Sequence, residues 1–187
     1  METTEKTEGR IFTVPNILSF IRILLIPLIV ISYFVLGNNY LAVGLIAVSG
    51  LTDIADGFIA RKFDTVSNVG KILDPIADKL TQMAVLTCLA FKNKRLIVLI
   101  TIFVLKELVM GISGLITIKK NGIINSAKWY GKANTVLLYF AMIVLILFSD
   151  IGDTAINIIT GVCLLSLIFS LVMYIVFYAK IWKKYRK

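Results

Sequence analysis

Six apolar stretches recur along this sequence, at about 17–36, 40–61, 69–91, 96–118, 129–148 and 155–179. Each comes close to the roughly 20 residues that a helix needs to cross a bilayer. Nothing else limits the fold so strongly. Backbone groups in hydrocarbon find no water, so each stretch must close its own hydrogen bonds as a helix. The 187-residue chain, 58% hydrophobic, therefore reads as one all-α integral membrane domain over 1–187, a bundle of six transmembrane helices. Polar links separate the stretches, with Gly37, Asn38 and Asn39 marking the first turn. Residues 1–14 lack the basic start and small-residue cleavage site of a signal peptide and read as a tail entering a short interfacial segment. Gly44 and Gly50 are expected to let the second helix pack closely on a neighbour.

Charge sets the orientation. Twenty Lys and Arg stand against 11 Asp and Glu, a formal net charge of +9. Six spans place both termini on one side. Putting that side in the cytoplasm gathers most of the basic residues there, among them Arg61, Lys62, Lys71, Lys119, Lys120, Lys128, Lys132 and the tail from Lys180. Lys92, Lys94 and Arg95 in one outer turn pull the other way. The expected location is the cell membrane, multi-pass. Such an excess of cations serves topology and lipid headgroups. No basic stripe with interleaved aromatics lies outside the spans, which argues against a nucleic-acid partner. The chain has no histidine, so any base must be a carboxylate, Lys, Tyr or Cys. Cys88 and Cys163 sit far apart in apolar runs and read as small buried hydrophobes.

Against this apolar background, residues 53–78 read DIADGFIARKFDTVSNVGKILDPIAD. Asp53 and Asp56 are three apart at the end of one apolar run. Asp74 and Asp78 are four apart at the start of the next. Either spacing puts two side chains on one helical face. Two helices would thus aim four carboxylates at one another across a short link, at high cost if nothing balances them. Divalent cations balance them, and hard oxygen ligands without His or Cys suit Mg²⁺ or Mn²⁺, one ion or two. A two-metal site clamps the attacking and leaving oxygens of an in-line phosphoryl displacement. The small residues Gly57 and Ala60 admit a ligand to the backbone, and Gly70 faces the same link. Arg61 offers a planar fork suited to a diphosphate. Asp78 lies farthest along its helix and is the candidate base. Arg22, inside the first span, either snorkels to headgroups or touches a phosphate. A channel built on an Asp ring needs polar groups through the full depth; here the acids gather at one side, which argues against a divalent-cation transporter.

The stretch fits D-x2-D-G-x2-A-R-x8-G-x3-D-x3-D at Asp53, Asp56, Gly57, Ala60, Arg61, Gly70, Asp74 and Asp78. This pattern resembles the signature of the CDP-alcohol phosphatidyltransferases, and six spans fit that family too. The resemblance implies transfer of a phosphatidyl group from CDP-diacylglycerol to an alcohol with release of CMP. It implies that Asp53, Asp56, Asp74 and Asp78 bind two metal ions and that Asp78 also deprotonates the acceptor. It implies that Gly57, Ala60, Arg61 and Gly70 line the CDP pocket, with Asn16 and Ser67 beside them, and that the enzyme forms a homodimer. The opening PNILSFIRILLIP and the LDPIADK segment resemble family members that take glycerol 3-phosphate. Gly131–Thr135, GKANT, is similar to their G-K-x-K-T with Asn134 in place of the second Lys. A phosphorylated acceptor needs cations beyond those holding CDP, and Lys106 and Lys132 are the expected ones, Glu107 being expected to point elsewhere on its helix. The alternative acceptor is phosphatidylglycerol, as in the cardiolipin synthases of the same family.

Overall fold

The computed structural model describes residues 14–63, 70–121 and 128–184. Side chains are described for 16–53, 73–119 and 128–183. The described residues form an all-α membrane protein of six α-helices: α1 Val14–Phe34, α2 Asn39–Phe63, α3 Gly70–Lys92, α4 Ile97–Asn121, α5 Trp129–Leu147 and α6 Asp153–Lys184. Four of these regions, around α1, α4, α5 and α6, are long and apolar enough to cross a membrane. Helices α2 and α3, of 25 and 23 residues, carry the aspartate stretch. The expected interfacial segment at 1–14 falls almost wholly outside the described residues. Contacts divide the chain into two compact units, Met1–Cys88 and Leu89–Lys187.

In the first unit α1 packs along α2. Pro27 stands inside α1 and cannot donate to the preceding turn. One turn on, the Ser32 hydroxyl donates to the carbonyls of Leu28 (2.8 Å) and Ile29 (2.9 Å), so this polar side chain is satisfied within its own helix. The chain reverses at Gly37, whose φ of +60° suits a residue without Cβ. Asn38 then caps α2: its Oδ1 accepts from the Leu41 N–H at 3.0 Å. The expected turn at 37–39 is therefore built as its residues suggest. The expectation for Gly44 and Gly50 fails, since a Cβ at either would meet nothing within 4 Å. Ala42 and Ser49, both wholly buried, are small residues of α2 that pack inward. Ile29, Tyr33, Ile46, Ala77, Val85, Leu86 and the thiol Cys88 complete this core.

In the second unit α4 and α5 both pack on α6. Phe103, Leu138, Met142, Ile146, Cys163 and Leu167 are among its buried apolar residues. Asn93 caps a short 3₁₀ turn, Lys94–Leu96, that leads into α4. Arg95 reaches Asp153 at the start of α6 (2.8 Å). The basic turn that opposed the charge-based orientation thus has the acid Asp153 against it. Both partners are exposed, so the pair adds little stability. Helix α6 runs five residues past its expected end at 179, through the basic tail to Lys184. Lysines are good helix formers, and the Trp182 indole N–H donates to Thr117 Oγ1 of α4 (3.3 Å), tying the added turns down.

Candidate active site

Polar residues fall at three-residue intervals on α1. Asn16, Ser19 and Arg22 share one face, and all are buried. Arg22 is completely covered. Its Nη1 lies 2.8 Å from Asp53 Oδ1 on α2 and 2.9 Å from Asp74 Oδ1 on α3. The same nitrogen is 3.5 Å from the Asp74 carbonyl oxygen. One guanidinium nitrogen therefore joins three helices, and the two carboxylate oxygens lie no farther apart than the sum of those two distances. Arg22 neither snorkels nor stands free for a phosphate; it is the internal counter-ion of the first acid of each pair. Asp53 and Asp74 are each about two-fifths exposed, so they reach the surface above a buried cation.

Asp78 is held differently. Both its oxygens lie 3.2 Å from the Gln82 amide nitrogen, one turn along α3, and Lys79 Nζ is 3.4 Å from Oδ2. Gln82 is fully buried and fixes the carboxylate from below. Asp53 and Asp74 converge on Arg22 while Asp78 turns to Gln82 and Lys79. No three acids gather as a ready metal site among the described residues. Asp56, Gly57, Ala60 and Arg61 lie on α2, and Gly70 is the first residue of α3. Their side-chain surroundings, and Ser67 altogether, lie outside the described residues. So the helical placement of both acid pairs holds, and the mutual approach is described for Asp53 and Asp74. Sequence reasoning missed Gln82 and misassigned Arg22. The signals were present: Gln82 is four residues from Asp78, and Arg22 keeps register with Asn16 and Ser19.

The second unit carries the two lysines expected at the acceptor. Lys132 is exposed near the start of α5. Lys106 is buried in α4, its Nζ 2.7 Å from Glu107 Oε1. The expectation that Glu107 points elsewhere is wrong, because the long lysine stem bends back to its neighbour. Asn134 is buried against α6, where its Oδ1 accepts from Ser166 Oγ (3.0 Å). Around the same motif Tyr130, Tyr174 and Tyr178 form a buried aromatic cluster. Tyr174 Oη accepts from the Lys128 N–H (3.3 Å) and lies against Gly131 so closely that a Cβ there would collide with it. The Lys128 ammonium sits 4.5 Å above the Phe177 ring.

Carboxylates drawn together at the ends of apolar helices are what phosphoryl chemistry at a membrane surface would use. The CDP-alcohol phosphatidyltransferase family matches residues 12–182, and the chain belongs to it. It is 36% identical over 166 residues to a CDP-diacylglycerol–glycerol-3-phosphate 3-phosphatidyltransferase of Aquifex aeolicus, covering 87% of this chain and 92% of that protein. A Rickettsia felis protein of the same name is 37% identical over 138 residues, or 71% of this chain and 74% of the relative. A putative cardiolipin synthase of Mycobacterium tuberculosis is 42% identical over 79 residues, spanning 42% of this chain and 38% of the relative.

Proposed function

We propose that this enzyme transfers the phosphatidyl group of CDP-diacylglycerol to glycerol 3-phosphate, giving phosphatidylglycerophosphate and CMP. The observation that carries the chemistry is the sharing of one cationic nitrogen by Asp53 Oδ1 and Asp74 Oδ1. Two carboxylate oxygens that hold one cation between them have the chemistry to hold a divalent one. Asp53, Asp56, Asp74 and Asp78 would hold Mg²⁺ or Mn²⁺, two ions per site by family resemblance. When bound, such ions offset the charge on the diphosphate and on the departing CMP oxygen. Asp78, oriented by Gln82, accepts the proton of the acceptor hydroxyl. That oxygen forms the new bond to the phosphorus bearing the diacylglycerol, and the bond from the same phosphorus to CMP breaks. Arg61 supports the diphosphate, with Asn16, Gly57, Ala60, Ser67 and Gly70 around the nucleotide.

Glycerol 3-phosphate is favoured as acceptor because the relatives named for it align over most of this chain. Lys132 is open to a soluble phosphate, while Lys106 would have to leave Glu107 to contribute. The site faces the cytoplasm of the cell membrane, where the positive-inside rule puts residues 61–71 and 119–132. Cross-linking tests the homodimer. The deciding experiment gives purified enzyme CDP-diacylglycerol with glycerol 3-phosphate, phosphatidylglycerol, serine or inositol phosphate in turn and follows CMP. Release with glycerol 3-phosphate alone is expected. Release with phosphatidylglycerol alone would make the enzyme a cardiolipin synthase.

A further inference from the structure

We infer that Arg22 is a positioning residue for the metal-binding carboxylates: from the buried face of α1 it holds Asp53 of α2 and Asp74 of α3 together. The inference rests on the metal reading proposed above. Arg22 is fully covered, whereas each carboxylate it touches is about two-fifths exposed. The guanidinium is thus a floor under the acids. Its Nη1 engages Oδ1 of each. Without it, two like charges within hydrogen-bonding reach of one point would separate or take up a proton. The chain's order makes the arrangement economical. One long side chain on α1 fixes a distance between residues that lie 21 positions apart on two other helices. A guanidinium suits this task because it stays charged and its donors have fixed directions.

The inference has a sign that separates it from its rivals. If Arg22 merely occupied the place of a cation, its removal would strengthen metal binding by removing a competing charge. If it held the phosphates of CDP-diacylglycerol, its removal would raise the KM for that lipid and leave the metal alone. Partners that orient metal-ligating groups typically account for about 10- to 100-fold in metal affinity. Arg22→Gln in full-length, detergent-purified enzyme should therefore bind Mn²⁺ about 10- to 100-fold more weakly, read from the electron paramagnetic resonance signal of the free ion. The Mg²⁺ concentration for half-maximal activity should rise to match, with the KM for CDP-diacylglycerol at saturating Mg²⁺ unchanged. If the Gln variant does not fold, Arg22→Lys carries the test. The lysine ammonium ends one atom short of the position of Arg22 Nη1, so it cannot reach both Oδ1 atoms from α1, and Mn²⁺ binding should weaken there as well. Wild-type or tighter Mn²⁺ binding in the folded variant would overturn the inference, as would a raised KM with metal affinity intact. Absence of Mn²⁺ binding by the wild-type enzyme would instead overturn the metal reading, and this inference with it.

Discussion

Gly131→Ala tests the packing around the proposed acceptor motif. Alanine is the better helix residue by about 1 kcal/mol, so on α5 alone the change should stabilise. The structure reverses that sign. A Cβ at 131 would overlap Tyr174 Oη and come within 3.1 Å and 3.2 Å of two ring carbons. Tyr174 has little room to move: it is 3% exposed, meets Tyr130 edge-on at 4.7 Å and stacks on Tyr178 at 6.4 Å. Forcing one methyl group into such packing costs about 1–3 kcal/mol. Pushing the hydroxyl off the Lys128 N–H adds roughly 0.5–1.5 kcal/mol. After the helix gain, the net loss should be about 0.5–3.5 kcal/mol, seen as a lower Tm in detergent. The control is Tyr174→Phe, which removes the overlapping oxygen. Alone it loses the Lys128 hydrogen bond. Combined with Gly131→Ala it should restore part of the stability, the ring carbons still crowding the methyl. The double variant should depart from additivity by more than the roughly 0.5 kcal/mol expected of independent sites. A Gly131→Ala protein as stable as wild type, or strictly additive losses, would refute the packing argument.

Other outcomes follow from the same residues. Chelator should abolish CMP release, and Mg²⁺ or Mn²⁺ should restore it; full turnover in EDTA would sink the metal proposal. Lys132→Ala should raise the apparent KM for glycerol 3-phosphate about ten- to a hundredfold, the worth of a charge-assisted contact, and leave that for CDP-diacylglycerol nearly unchanged. Cysteines placed at Ser67 and Asn121 should label only from the cytoplasm and one at Asp150 only from outside; the reverse pattern would invert the proposed topology. Asn134→Lys completes the pattern of the glycerol-3-phosphate enzymes but puts a charge in a buried seam. It should cost several kcal/mol in stability, measured by thermal unfolding, and an unaffected Tm would show that the side chain escapes.

Much of the fold was legible because bilayer length and apolar runs leave few choices. The helix positions, the turn at Gly37 and the helical placement of both aspartate pairs all follow from local sequence. What escaped was tertiary. Arg22 finds Asp74 across 52 positions, and no local spacing announces that meeting. Helical angle alone sets Lys106 and Glu107 apart, but a lysine stem is long enough to bend back to its neighbour. Gly44 and Gly50 looked like packing sites, yet small residues are also tolerated where nothing approaches. The sixth stretch is expected to end at 179, where the apolar run meets the basic tail, although a helix leaving hydrocarbon need not stop there. Within the site, the motif named the acids but not their supports, since Gln82 and Arg22 act through other side chains.

The unequal lengths in the second unit carry a consequence for the surrounding lipid. Helix α5 has 19 residues, about 28 Å at the usual rise, against a hydrocarbon thickness near 30 Å. Helix α6 has 32, about 48 Å, and can meet almost any bilayer by tilting or protruding. The shorter helix therefore sets the thickness this unit tolerates. Exposed Trp129 at its start, two residues before Gly131 and three before Lys132, is of the residue type that favours the headgroup level. Mismatch falls on the ends of a short helix, and at the start of α5 the Lys128 N–H meets Tyr174 Oη. Chain length in the lipid around the enzyme thus bears directly on the segment proposed to receive the soluble substrate.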